Sequence, residues 1–92
     1  MKVLLFSATW CPSCLVMRPI WTKIKNEYKT ELEEYDYDID KEVIQKWDIG
    51  SKLPVAIIVD RNEVEITRIV GEKSKKEIMK IIEELKVKHE SN

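Results

Sequence analysis

Residues 9–14 read Thr-Trp-Cys-Pro-Ser-Cys, TWCPSC. Two cysteines stand three positions apart, with a tryptophan ahead of the first and a proline behind it. Such a pair serves as a redox dithiol, as half of a metal site, or as two buried thiols that happen to be neighbours. The flanking chain narrows the choice. Upstream, Lys2–Ser7 (KVLLFS) is a short, nearly continuous apolar run, as in a strand buried on both faces. Downstream, Met17, Trp21, Ile24 and Tyr28 recur at intervals of four, three and four, one face of a helix over Cys11–Lys29. The cysteines therefore fall at a strand-to-helix junction.

That junction suits thiol chemistry. Pro12 occupies the first helical position, where its missing N–H costs nothing and its fixed φ suits the turn. Cys11 is then the N-cap. Its sulfur faces the free N–H groups of the first turn and the positive end of the helix dipole, both of which favour a thiolate. Cys14 lies one turn inward, within reach for a disulfide. The spacing assigns roles: Cys11 attacks a substrate disulfide, and Cys14 resolves the mixed disulfide. A structural zinc site needs four ligands, and beyond the cysteines only His89, in the tail KHESN, is a soft one, so no metal is expected. Two inert buried thiols fit poorly, because a helix cap beside a proline is unpromising burial chemistry.

The remaining chain supplies a single α/β layer structure. Leu32–Asp40 (LEEYDYDID) alternates imperfectly and reads as a strand, and Lys41–Asp48 as a short helix ended near Gly50. Val55–Val59 (VAIIV) is a second buried strand, 60–63 (DRNE) is turn chemistry, and Val64–Val70 returns as a half-exposed strand. Ser74 and Glu77 form a capping box, each side chain serving a free backbone N–H, at the head of a final helix with apolar face Ile78, Ile82 and Leu85. The order is β-α-β-α-β-β-α. The first two strands, joined by a helix, are expected parallel with a right-handed crossover, and the last two antiparallel. A mixed sheet flanked by helices follows.

Bulk composition sets the outer bounds. Ninety-two residues make one domain, 1–92, 43% hydrophobic and 36% charged. A formal net charge of −1, with both signs interspersed, leaves no footprint for nucleic acid or an acidic membrane surface. The apolar run in MKVLLFSATW is too short for a signal-peptide core or a membrane span. A cytoplasmic monomer without a cofactor is expected, and in that reducing setting a lone cysteine pair is transient and catalytic rather than a staple.

Trp10-Cys11-Pro12-Ser13-Cys14 at a strand-to-helix junction resembles the WCxxC motif of the thioredoxin superfamily. The resemblance extends along nearly the whole chain. Pro19 matches the proline within the active-site helix, where one otherwise costs about 3 kcal/mol. Tyr37–Asp40 resembles the second core strand, Leu53-Pro54 the cis-proline site, and Val70-Gly71 the dipeptide before the last helix. By composition alone Pro54 reads as a plain strand-start proline. The resemblance implies a minimal thioredoxin fold: a four-stranded mixed sheet of order 2-1-3-4 flanked by three helices. It also implies a cis-Pro54 against the disulfide, and a substrate surface of Trp10, Pro12, Leu53 and Pro54 on which an extended segment pairs with the Leu53 backbone. Trp21 and Trp47 read as packing residues.

Three departures stand out. The strand and helix that precede this first strand in full thioredoxins are lacking, so the chain is built like a glutaredoxin. The family's buried aspartate falls at Leu5, and its partner lysine near Asp36, whose carboxylate either reaches the same pocket from the neighbouring strand or lies exposed at the sheet edge. The dipeptide between the cysteines is Pro-Ser, neither Gly-Pro nor Pro-Tyr. The implied activity is reduction of protein disulfides by dithiol exchange, with electrons from an outside, thioredoxin-reductase-like donor. A glutathione-dependent glutaredoxin is the alternative within the enzyme class. Trp10 and Gly71-Glu72-Lys73, in place of that family's Gly-Gly, stand against it. A non-catalytic binding module is the third reading.

Overall fold

The elements follow from hydrophobic period and turn chemistry. The computed structural model describes residues 1–90, which run β1 (Lys2–Ser7), α1 (Pro12–Tyr28), β2 (Glu31–Asp36), α2 (Lys41–Lys46), β3 (Val55–Val59), β4 (Glu65–Val70) and α3 (Lys75–Glu90). The four strands form one sheet of order β2-β1-β3-β4. β1 is parallel to β2 and antiparallel to β3, and β3 is antiparallel to β4. The anticipated mixed sheet, its order and its three helices are all present.

The two central strands carry apolar side chains at every position because both sheet faces are covered. Side chains alternate across a strand, so adjacent residues go to opposite faces. Val3 and Leu5 of β1 join Ala56 and Ile58 of β3 beneath α1 and α3, where Met17, Trp21, Ile24, Ile78 and Ile82 close the layer. Leu4 and Phe6 join Val55, Ile57 and Val59 on the other face with Ile44 of α2 and Ile49 just beyond it. Both cysteines belong to this second cluster. Trp21 is 1% exposed and Trp47 packs half-buried against the α2 face, so both are packing residues as anticipated.

Among the boundaries that differ from the sequence expectation, three have a local reason. β2 ends at Asp36, not Asp40. The Asp36 carboxylate accepts the N–H groups of Asp38 and Ile39, and the Asp40 carboxylate accepts that of Asp36, so the alternating YDYDID stretch leaves the ladder as an aspartate-anchored turn. α2 stops at Lys46 because Asp48, ahead of Gly50, takes the left-handed conformation (φ 52°). β4 begins at Glu65, one residue late, beside a register irregularity at Ile58/Val59. The capping box is also modified: the Ser74 hydroxyl accepts the Glu77 N–H at 3.1 Å, while the Glu77 carboxylate accepts from that hydroxyl at 3.2 Å.

The early end of α2 leaves carbonyls in need of donors. Arg68 of β4 supplies them, its guanidinium donating to the carbonyls of Trp47 at 2.9 Å and Asp48 at 3.3 Å. Two further N–H groups hold Glu65, at 2.7 and 3.0 Å. The fork thereby ties the covering helix of the cysteine face to the edge strand. Arg68→Met, which keeps the apolar stem, is expected to cost about 1–2 kcal/mol in chemical denaturation, since two carbonyls lose a charged donor. Glu65→Gln, which weakens only a partly exposed ion pair, is expected to cost less than about 1 kcal/mol.

Candidate active site

β1 ends at Ser7, and the turn that follows is closed by the Cys11 N–H donating to the Ala8 carbonyl at 3.2 Å. Pro12 then opens α1 with Cys11 as its N-cap, φ −97° and ψ 110°. The Cys11 sulfur takes the part that a serine or aspartate oxygen plays at other helix starts: it accepts the Cys14 N–H at 3.2 Å. The first turn of α1 contains no acidic residue, so no carboxylate within the helix competes for its free donors. α1 runs on through Pro19 to a left-handed cap at Lys29 (φ 52°).

Both cysteines are free thiols, and both are buried, 5% and 6% exposed. Burial of Cys11 corrects the expectation that a cap position keeps a thiol open. Ala8, Leu53 and Val55 share its cluster, so apolar groups surround the sulfur. Burial pushes the Cys14 thiol up to about 11, chiefly by desolvation and next by its hydrogen bond to Cys11, with a backbone hydrogen bond at Ala8 opposing. Cys14 therefore keeps its proton at neutral pH.

Of the sequence-proposed residues, Trp10 and Pro12 flank Cys11 in the chain and Leu53 shares the buried cluster of both cysteines. The Leu53–Pro54 peptide bond is cis, as the resemblance implied, and the Pro54 carbonyl accepts the Gly71 N–H at 2.8 Å. Gly71 sits at φ 81°, a conformation that favours glycine, and this joins the turn before α3 to the cis-proline loop. Leu53 is buried among the cysteine cluster, whereas Pro12 is exposed. Trp10 is 58% exposed, with its indole N–H donating to Asp38 at 2.7 Å and its ring edge-on to Tyr37. Leu15, Val16 and Ile39 add further exposed apolar surface.

Asp36 meets neither of its two alternatives in full. It is half-buried and lines a cavity of about 320 Å³ that reaches Cys14, together with Asp40, Glu34, Arg18 and Tyr35. Leu5, by contrast, packs in the cluster on the opposite sheet face. The carboxylates that share a cavity with Cys14 thus come from β2 and the turn after it. Arg18 is engaged by Glu34 at 3.3 Å.

Several participants were not anticipated from the sequence. Asp38 steadies Trp10, and Glu72 accepts the Ser13 hydroxyl at 2.9 Å. The repeated Asp-x-Asp-x-Asp of residues 36–40 was a signal for the first; nothing local marked the second, which joins residues 59 apart. The side chain of His89 lies outside the described residues. Among the described residues no group of three or more His, Cys, Asp and Glu side chains is placed to hold a metal ion, and no helix is long and apolar enough to cross a membrane.

The family model for thioredoxin matches residues 1–84. Comparison with curated proteins finds no match. Among solved structures, the chain is similar to thioredoxin 1 of the thermophilic eubacterium Thermosipho africanus (TM-score 0.85, 26% identity), covering 97% of this chain and 99% of that one. It is similar also to the reduced thioredoxin pre-protein of Schistosoma mansoni (TM-score 0.79, 25% identity, 90% of this chain and 76% of that one). A Nicotiana alata thioredoxin matches with TM-score 0.77 and 27% identity, over 90% of this chain and 72% of that one.

The raised Cys14 thiol has a direct consequence. A group held above its ordinary value stays protonated, and so unreactive, until pH climbs through the shifted value. In brief alkylation of the reduced protein, the labelling rate at Cys14 is expected to rise with pH and to reach half its plateau only near about 11. Peptide mass spectrometry across pH 6–12 (a range spanning that value) reads this out; a rate already half-maximal at pH 9, the ordinary thiol value, contradicts it.

Proposed function

This chain belongs to the thioredoxin family, and from that premise we propose that it is a thiol–disulfide oxidoreductase that reduces protein disulfides through Cys11 and Cys14. The observation that carries the reading is the Cys14 N–H held at 3.2 Å on the Cys11 sulfur at the start of α1. A backbone donor aimed at that atom, at the positive end of a helix, favours the anionic form needed for attack.

The exchange balances as follows. The Cys11 thiolate attacks one sulfur of a substrate disulfide; a new S–S bond forms, the old one breaks, and the departing thiolate takes up a proton. Cys14 then gives up its proton, and its thiolate attacks the Cys11 sulfur. The second substrate thiol leaves and the Cys11–Cys14 disulfide closes. Two electrons have passed to the substrate, and an outside dithiol must return them. Carboxylates sharing a cavity with Cys14 (Asp36, Asp40 and Glu34) support a route for the second proton, whose loss the buried site otherwise resists.

Trp10, Pro12, Leu53 and Pro54 form the docking surface in this reading. Exposed apolar groups close to the dithiol support it, as does the chain preceding β3, whose Leu53 backbone serves an extended substrate segment by strand addition. A lone dithiol pair that cycles rather than staples suits a reducing cytoplasm.

With dithiothreitol as the electron source, the protein is expected to reduce insulin disulfides catalytically, and Cys11→Ser to fall to the rate of dithiothreitol alone. Precipitation turbidity follows the reaction. A folded wild-type protein without turnover would contradict the proposal and favour a binding module.

A further inference from the structure

The chain residues that flank Cys11 each carry a tethered carboxylate. Trp10, immediately before it, donates its indole N–H to Asp38 at 2.7 Å. Ser13, two residues after it, donates its hydroxyl to Glu72 at 2.9 Å. Glu72 reaches the start of α1 from the turn before α3, whose backbone is fixed where the Gly71 N–H meets the Pro54 carbonyl. The partial positive charge at the head of α1 attracts such a carboxylate, and α1 has no acid in its own first turn to do the same. The contact sets an exposed carboxylate at the head of α1, near the dithiol.

Two cations lie near Glu72 without pairing with it. Lys73 follows Glu72 directly, and the Lys52 side chain runs alongside Gly71, its Cε 3.6 Å from where a Cβ on that glycine would sit. Neither forms an ion pair with Glu72 among the described residues, and Arg18 is held by Glu34. On the opposite flank, Asp38 is joined by Asp36 and Asp40, all three receiving neutral N–H donors that leave their charge in place.

We propose that Glu72, braced by Ser13 and opposed by Asp38 across the dithiol, is a specificity-determining residue. It selects disulfides flanked by basic residues and disfavours mixed disulfides with anionic thiols such as glutathione. The proposal rests on the disulfide-reductase reading and deepens it. In the step concerned, the Cys11 thiolate attacks a substrate sulfur, one thiolate leaves, and the bound half of the substrate is brought beside both carboxylates. A bound half with an ammonium group is attracted; a glutathionyl group, whose two carboxylates outweigh its single ammonium, is repelled. Coulombic interaction over a few ångströms at a wet surface makes the discrimination modest, and salt weakens it.

Three small disulfides of equal reaction type test this on the full chain with dithiothreitol as donor: cystamine, a dication; bis(2-hydroxyethyl) disulfide, neutral; and oxidised glutathione, an anion. Each charged rate is referred to the neutral one, which removes any general change in activity. The wild-type protein is expected to favour cystamine over oxidised glutathione. Glu72→Gln is expected to lower that ratio about three- to tenfold, and Glu72→Lys further. Raising salt from about 0.02 to about 0.5 M is expected to shrink the wild-type preference. An unchanged ratio in both variants, with the neutral disulfide still reduced, overturns the role of Glu72. Failure of the wild-type protein to reduce even the neutral disulfide overturns the underlying reductase reading instead.

Discussion

The organisation depends on one contact at the head of α1, where a cysteine sulfur stands in for the usual capping oxygen. A helix start leaves backbone N–H groups without intrahelical partners, and a buried one left unpaired is costly. Here the Cys14 N–H is satisfied by the Cys11 sulfur at 3.2 Å. Folding and chemistry thus draw on the same hydrogen bond. The helix gains a cap, and the sulfur gains a donor that suits its anionic form. Pro12 makes this arrangement inexpensive by pre-setting the first helical residue without adding another orphan N–H.

The sheet places both thiols, three residues apart, in one buried layer. β1 is sandwiched between β2 and β3, so the turn leaving it emerges over the layer covered by α2. Both sulfurs enter that layer, and Cys14, a turn further along, is desolvated and hydrogen-bonded to its neighbour. Desolvation disfavours its thiolate, while the cap sulfur is the one that accepts a backbone N–H. Two loops from distant parts of the chain border the pair, the Leu53–Pro54 segment and the Gly71–Lys73 turn, and they are joined by the hydrogen bond between Gly71 and Pro54. The candidate site is an assembly of chain segments gathered at one end of the sheet.

Most of the fold was legible because its signals were local. KVLLFS and VAIIV announce strands covered on both faces, and the spacing of Met17, Trp21 and Ile24 announces the helix over them. The exceptions are places where side chains redirect the backbone. In residues 36–40 the alternation suggested a longer strand, but aspartate carboxylates capture neighbouring N–H groups and turn the chain. At the end of α2, where the pattern put the helix end near Gly50, Asp48 takes the left-handed conformation, and Arg68 makes this tolerable from a strand twenty residues away. The cysteines, Trp10, Pro12 and the 53–54 pair were readable from a motif; the Ser13–Glu72 and Trp10–Asp38 contacts were not. A pairing between residues 59 apart leaves no local periodicity, and only the folded sheet brings it together. The burial of Cys11 escaped notice for the same reason, since its covering residues Leu53 and Val55 arrive from β3 and the loop before it.

The division of labour between the sulfurs is the central claim, and covalent trapping tests it most directly. A disulfide-bonded substrate is mixed with reduced Cys14→Ser and, separately, with reduced Cys11→Ser, and the adducts are followed by intact-mass spectrometry. The account predicts that Cys14→Ser accumulates a mixed disulfide at Cys11 that persists for want of a resolving thiol, while Cys11→Ser forms little adduct. Equal or faster adduct formation at Cys14 would contradict it.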